Sequence, residues 1–201
     1  MTSSLPYSHT LHVSPYGKSI PYAENSHANH GFKNLKHYPE LIDDIPELST
    51  DSSLRSLVVS LNTCNSSFFS IGCFSGIRET LHGARHRGYV EFAWNCRNCV
   101  RDAIHYFSLY FHFDQFLRTH GFNHRVKLDW LIEEAQFCDI DLCGFCCAIF
   151  IDTAPCELTA DAINAWQISL QTIDSFLAAI PQSSSNAIYG NTENTLNGVT
   201  A

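Results

Sequence analysis

Apolar residues recur with two different periods along this chain, and the switches between them predict its elements. Leu57, Val59 and Leu61 fall on alternate positions, a spacing that predicts a short strand. Val90, Phe92 and Trp94 alternate around Glu91 and Ala93, predicting a second. Val126, Leu128, Trp130 and Ile132 alternate against Lys127, Asp129 and Glu133, predicting a third. Phe145 to Ile151 is a continuous apolar run, as in a central strand buried on both faces. Phe68 to Ile71 offers one further short strand. The helical period governs two longer stretches. From Cys99 to His120 apolar residues cover most of the helical wheel, and Gly121 ends the run. From Thr159 to Ile180 a stripe of Ile163, Trp166, Leu170, Ile173 and Leu177 follows a Thr cap and precedes Pro181. The order strand, strand, helix, strand, strand, helix predicts an α+β fold. The expected sheet is four-stranded and mostly antiparallel with two helices on one face, a ββαββα order that is a permuted ferredoxin-like arrangement.

These periods occupy residues 51–182, which are expected to form a single domain. Residues 1–50 are rich in Ser, His, Asn, Pro and Tyr and are expected to be largely flexible, as is the tail 183–201. Within the first segment Pro39 and Pro46 bracket a predicted helical turn at 39–45. Its Leu41, Ile42 and Ile45 share a face that serves either as a clasp on the domain or as a docking segment. No apolar run approaches the ~20 residues of a membrane span, and the first ten residues carry no basic or apolar leader. A cytoplasmic protein with no membrane partner is the expectation.

Charge and cysteine usage narrow the chemistry. The formal charge is −8, which disfavours broad nucleic-acid binding because such binding rests on neutralising phosphates. Nine cysteines, an odd number, point in a reducing compartment to thiols, metal ligands or small core residues. Cys96-x-x-Cys99 and Cys143-x-x-Cys146 have the spacing of zinc knuckles, although 43 residues separate the pairs, far more than the ~15–20 of a zinc ribbon. The helix between the second and third strands should leave those strands parallel, bringing Cys96 and Cys99 to the same sheet edge as the hairpin holding Cys143. Packing thiols are expected, with no cofactor; a zinc site or a redox pair at Cys96 and Cys99 is the alternative. The stretch Val90 to Cys99 superficially resembles the strand-to-CxxC junction of thioredoxins. No proline lies between Pro46 and Pro155, so the cis-proline of that family is missing and its activity is not carried over.

Arg78, Arg85 and Arg87 cluster in a segment read as a loop, where guanidinium forks match phosphate or carboxylate. Enzyme grammar is absent: there is no phosphate-binding glycine loop, nucleotide motif or Ser-His-Asp pattern. The sequence therefore favours a non-catalytic binding protein with a protein partner. A metal- or thiol-dependent function at Cys96 and Cys99 comes second, and anion or RNA binding through Arg78, Arg85 and Arg87 comes third.

Overall fold

The computed structural model describes residues 6–21, 31–81, 83–181 and 186–189. In chain order the elements are β1 (Ser8–Val13), β2 (Lys18–Ile20), a 3-10 helix (Pro39–Asp44), α1 (Pro46–Thr50) and α2 (Ser52–Asn62). There follow β3 (Phe68–Thr80), β4 (Gly83–Trp94), α3 (Arg97–Val100), α4 (Ile104–Thr119), β5 (Val126–Phe137), β6 (Leu142–Thr153) and α5 (Thr159–Ala178). The fold is mixed α+β, with a six-stranded sheet rather than the four strands expected. Its order is β1-β5-β6-β4-β3, and β2 continues along the β5 edge beyond β1. β3 with β4, β4 with β6 and β5 with β6 pair antiparallel, whereas β1 and β2 run parallel to β5. With β6 antiparallel between them, β4 and β5 are parallel, the relation that the α4 crossover predicted.

One expected strand is a helix. Leu54, Leu57, Val58 and Leu61 are buried at i, i+3, i+4 and i+7 on α2. Asp51 Oδ1 caps that helix by accepting the Leu54 N–H at 2.9 Å. The alternation of Leu57, Val59 and Leu61 was incidental, and Val59 faces outward. The first strand of the hairpin is instead β3, which runs on from the short apolar segment at Phe68. Two strands, β1 and β2, come from the segment expected to be flexible. The predicted turn at 39–45 is the 3-10 helix; Ile42 is buried, and Leu41 and Ile45 pack against the core. The long helix is broken at Arg101 to Ala103 into α3 and α4, where Asp102 Oδ1 accepts the Ile104 N–H at 2.9 Å. α4 buries only Tyr106, Leu109, Phe113 and Leu117, and leaves Phe111 exposed.

The two faces of the sheet are covered differently. On one, α4 and α5 lie over Phe92, Trp130, Ile149 and Ile151, with Trp130 tilted against Phe113 at 5.5 Å and Phe113 against Phe176 at 5.1 Å. Gly88 is required here, since a Cβ would stand 2.5 Å from the Trp166 ring and 2.1 Å from the Phe74 carbonyl oxygen. On the other face, the chain around Leu35 and residues 186–189 cover one half only. Phe69 there meets Phe137 at 5.8 Å and Tyr189 at 4.9 Å, while Ile20 and Leu142 are fully buried. Among the described residues nothing covers the second half of that face.

Candidate functional site

The open half is built by alternation in four neighbouring strands. Register places Phe74 of β3 opposite Tyr89 of β4, Tyr89 opposite Phe150 of β6, and Phe150 opposite Asp129 of β5. Cross-strand partners project on one side of a sheet, so these residues form a row across it. Tyr89 and Phe150 rings lie 5.4 Å apart, tilted at 44°. The next row is Gly76, Arg87, Asp152 and Lys127, and beyond it Arg78 stands opposite Arg85. The Phe74 ring lies over Gly76, whose Cβ would be 3.2 Å from the ring's Cζ. All of these residues except Arg85 line a groove of about 400 Å³. Phe74 is 48% exposed and Phe150 38%, high values for phenylalanines in one row of a sheet.

Arg78, Arg85 and Arg87 thus share one face, but they lie on the β3–β4 hairpin rather than in a loop. Arg85 is anchored, with Nη2 donating to Asp152 Oδ2 at 2.9 Å and Nε to the Thr153 carbonyl at 3.1 Å. Arg87 Nε reaches the same carboxylate oxygen at 3.2 Å, and Lys127 meets Asp129 at 2.5 Å. Arg78 is exposed and has no ion-pair partner among the described residues. On this face four cations, three of them lining the groove, therefore meet two carboxylates, leaving a local positive excess on a chain of net charge −8. Tyr89 is held as the neutral phenol by its burial and by the Glu91 carboxylate nearby.

The four cysteines singled out by spacing are not gathered at one point. Cys96 and Cys99 do meet, Cys99 Sγ donating to Cys96 Sγ at 3.0 Å, and the Cys99 N–H points at the Cys96 sulfur at 3.4 Å. Burial, then the bond to Cys96, pushes the Cys99 thiol up to about 12. Cys143 is exposed and Cys146 fully buried, three residues apart on a strand and so on opposite faces. Gly144 between them lies against α3, where a Cβ would meet the Val100 carbonyl at 2.5 Å. Cys146 belongs to another group, donating to Glu91 Oε1 at 3.3 Å beside Glu133. The Lys18 ammonium sits between those carboxylates, bonded to Glu91 and at 2.6 Å from Glu133. That cation fills the position between the two carboxylates. Burial, then the Glu91 charge, keeps the Cys146 thiol protonated well above its ordinary range.

A polar network that sequence reasoning missed lies under α5. Asp51 Oδ2 accepts from Ser75 Oγ at 2.6 Å and from Trp166 Nε1 at 2.7 Å. His86 Nε2 is 2.8 Å from Ser75 Oγ, and its ring stacks on Trp166 at 4.4 Å. Burial lowers the His86 pKa, so the neutral ring donates from Nε2 to the hydroxyl, which donates on to Asp51. The serine is the middle member, whereas nucleophilic catalysis needs the imidazole between serine and acid. His86 Nδ1, the atom an orienting acid would hold, has no hydrogen-bond partner. This network is a helix cap extended into the core. Residues 24 and 35 positions apart in sequence supply it, and only the N-cap signal of Asp51 was readable in advance.

Among the described residues no helix is long and apolar enough to cross a membrane. No family model matches the chain, and comparison with curated proteins and solved structures gives no match either.

Proposed function

We propose that this chain is a non-catalytic binding protein whose open half-sheet takes an acidic segment of a protein partner. The observation that carries this reading is the row Phe74, Tyr89 and Phe150 flanked by Arg78, Arg85 and Arg87. Aromatic and arginine side chains are the residue types enriched where protein interfaces concentrate their energy. The positive excess on an acidic chain favours a carboxylate-bearing ligand by charge complementarity, and guanidinium forks match carboxylates in geometry. The strands β3, β4, β6 and β5 follow, on our reading, the order of a permuted ferredoxin-like sheet. That architecture hosts many functions and selects none.

Aromatic rows on sheets also stack nucleic-acid bases, which gives the competing occupant a specific form. Arg85 and Arg87 are engaged by Asp152 and Lys127 by Asp129, so the remaining excess suits a peptide bearing a few carboxylates better than the continuous run of phosphates along a strand. The test is selection from a displayed peptide library against the full chain, followed by affinity measurement with a single-stranded oligonucleotide in parallel. Enrichment of Asp- and Glu-rich peptides whose binding is lost in Phe150→Ala and Arg87→Glu supports the reading. Tight oligonucleotide binding with no peptide enrichment replaces it with the nucleic-acid one.

A further inference from the structure

The junction between β4 and α3 holds a second feature, independent of the open half-sheet. Cys96 is 4% exposed and Cys99 partly exposed, and their sulfurs stand 3.0 Å apart, about 1 Å beyond the ~2.05 Å of a disulfide. The residues on either side of Cys96 hold the described part of the C-terminal segment. The Asn95 side chain accepts the Tyr189 N–H at 2.7 Å and the Ile188 N–H at 3.2 Å, and donates to the Tyr189 carbonyl at 2.8 Å. The Arg97 N–H donates to the Asn186 carbonyl at 2.9 Å. Tyr189 is buried against Phe69, and its hydroxyl donates to the Asp139 carboxylate at 2.8 Å. Cys96 thus lies between the two residues that hold 186–189.

We propose that Cys96 and Cys99 form a dithiol–disulfide couple, with a small disulfide of the glutathione class as oxidant, whose state sets the grip on residues 186–189. In the first step Cys99, the more exposed thiol, gives up its proton as its sulfur attacks the oxidant's disulfide, forming a mixed disulfide and releasing one small thiolate, which takes that proton. Cys96 sulfur then attacks Cys99 sulfur, the mixed bond breaks, and the second small thiolate leaves. Two protein thiols become one disulfide, one small disulfide becomes two thiols, and the two protons pass to the leaving thiolates. Closing the sulfur–sulfur gap tightens the turn from Cys96 to Cys99 and so moves its neighbours Asn95 and Arg97, which hold 186–189. Because burial and the bond to Cys96 raise the Cys99 thiol, the reduced form gains nothing from ionisation at that sulfur, which favours a disulfide that is a weak oxidant.

The experiment equilibrates the full chain in oxidised and reduced glutathione mixtures, then maps thiols by alkylation and mass spectrometry and follows amide exchange. The expected result is an intrachain Cys96–Cys99 disulfide, lost in Cys99→Ser, with exchange across 186–189 about tenfold faster in the oxidised form. Exposed Cys64, Cys138 and Cys143 should instead carry glutathione adducts. Cys99→Ser alters the partly exposed member, so its fold is checked by unchanged exchange in β5 and β6. Both thiols remaining alkylatable at the most oxidising ratio would overturn the couple. A disulfide that leaves exchange at 186–189 unchanged would overturn its control of the segment.

Discussion

Asp51 joins three parts of the fold through one carboxylate, and Asp51→Ala separates their contributions. The substitution removes the cap of α2, a loss of about 1 kcal/mol and up to ~2. It also strips the acceptor from the Trp166 indole N–H, which is fully buried, and a buried donor left unpaired costs about 1–3 kcal/mol. The Ser75 hydroxyl loses the same acceptor but still accepts from His86 Nε2 at 2.8 Å, and on a half-buried residue it can turn its own proton toward water, so its share is small. The total is a destabilisation of about 2–5 kcal/mol, read from urea denaturation followed by tryptophan fluorescence. Asp51→Asn keeps a capping oxygen for Leu54 and should recover about 1 kcal/mol of that loss. In a Trp166→Phe background the indole donor is gone, and Asp51→Asn should cost less than in wild type, a coupling that a double-mutant cycle measures. A loss below about 1 kcal/mol for Asp51→Ala would mean that the carboxylate is only a surface cap, and would refute its role as the tie between α2, β3 and α5.

Lys18→Met should destabilise the fold by about 3–5 kcal/mol, because it leaves Glu91 and Glu133 close together without their cation. The variant should regain stability on acidification, as one carboxylate takes a proton, and an unchanged melting temperature at neutral pH would contradict this. The pH dependence of the wild type follows from His9 and His86, both lowered by burial. The unfolded chain binds more protons than the folded one below about pH 6.5, so stability should fall as pH drops through that value. His86→Phe should flatten that slope in chemical denaturation, and a slope equal to wild type would remove His86 from the cause. Reduced protein held in a strong chelator should keep its melting temperature, since the sulfurs of Cys96, Cys99, Cys143 and Cys146 do not converge; loss of the fold on chelation, with about one zinc released, would require a metal centre.

What the sequence revealed depended on how local each signal was. Trp130 and Ile149 could be placed because alternation and an unbroken apolar run are written into single strands, and both are fully buried. The Asp114–Arg118 pair, at 2.8 Å on α4, is a contact of the same local kind, set by i,i+4 helical spacing alone. β1 and β2 were not legible: Ser8 to Val13 holds two histidines, a serine and a threonine, and becomes a strand only because β5 offers a free edge. α2 was misread because two periods overlap at Leu57 and Leu61, and the cap at Asp51 decides between them. The arginines were visible as a cluster, but Phe74, Tyr89 and Phe150 are 15 and 61 residues apart and meet only through strand register. The sulfur set failed for the same reason in reverse, because an odd spacing along β6 sends Cys143 and Cys146 to opposite faces.

The open half-sheet as binding surface is tested most directly by the affinity of an acidic library-selected peptide for four proteins: wild type, Phe150→Ala, Arg87→Glu and Phe111→Ala. Phe111 is 65% exposed on α4, across the sheet from the groove, and serves as the control for loss of an exposed aromatic ring. Fluorescence anisotropy should show binding weakened about 10–30-fold by Phe150→Ala and by Arg87→Glu, as for truncation of a central interface residue. Phe111→Ala should bind as wild type does, and added salt should weaken all four. Equal affinity across the four proteins, or a loss confined to Phe111→Ala, would contradict the assignment of this face.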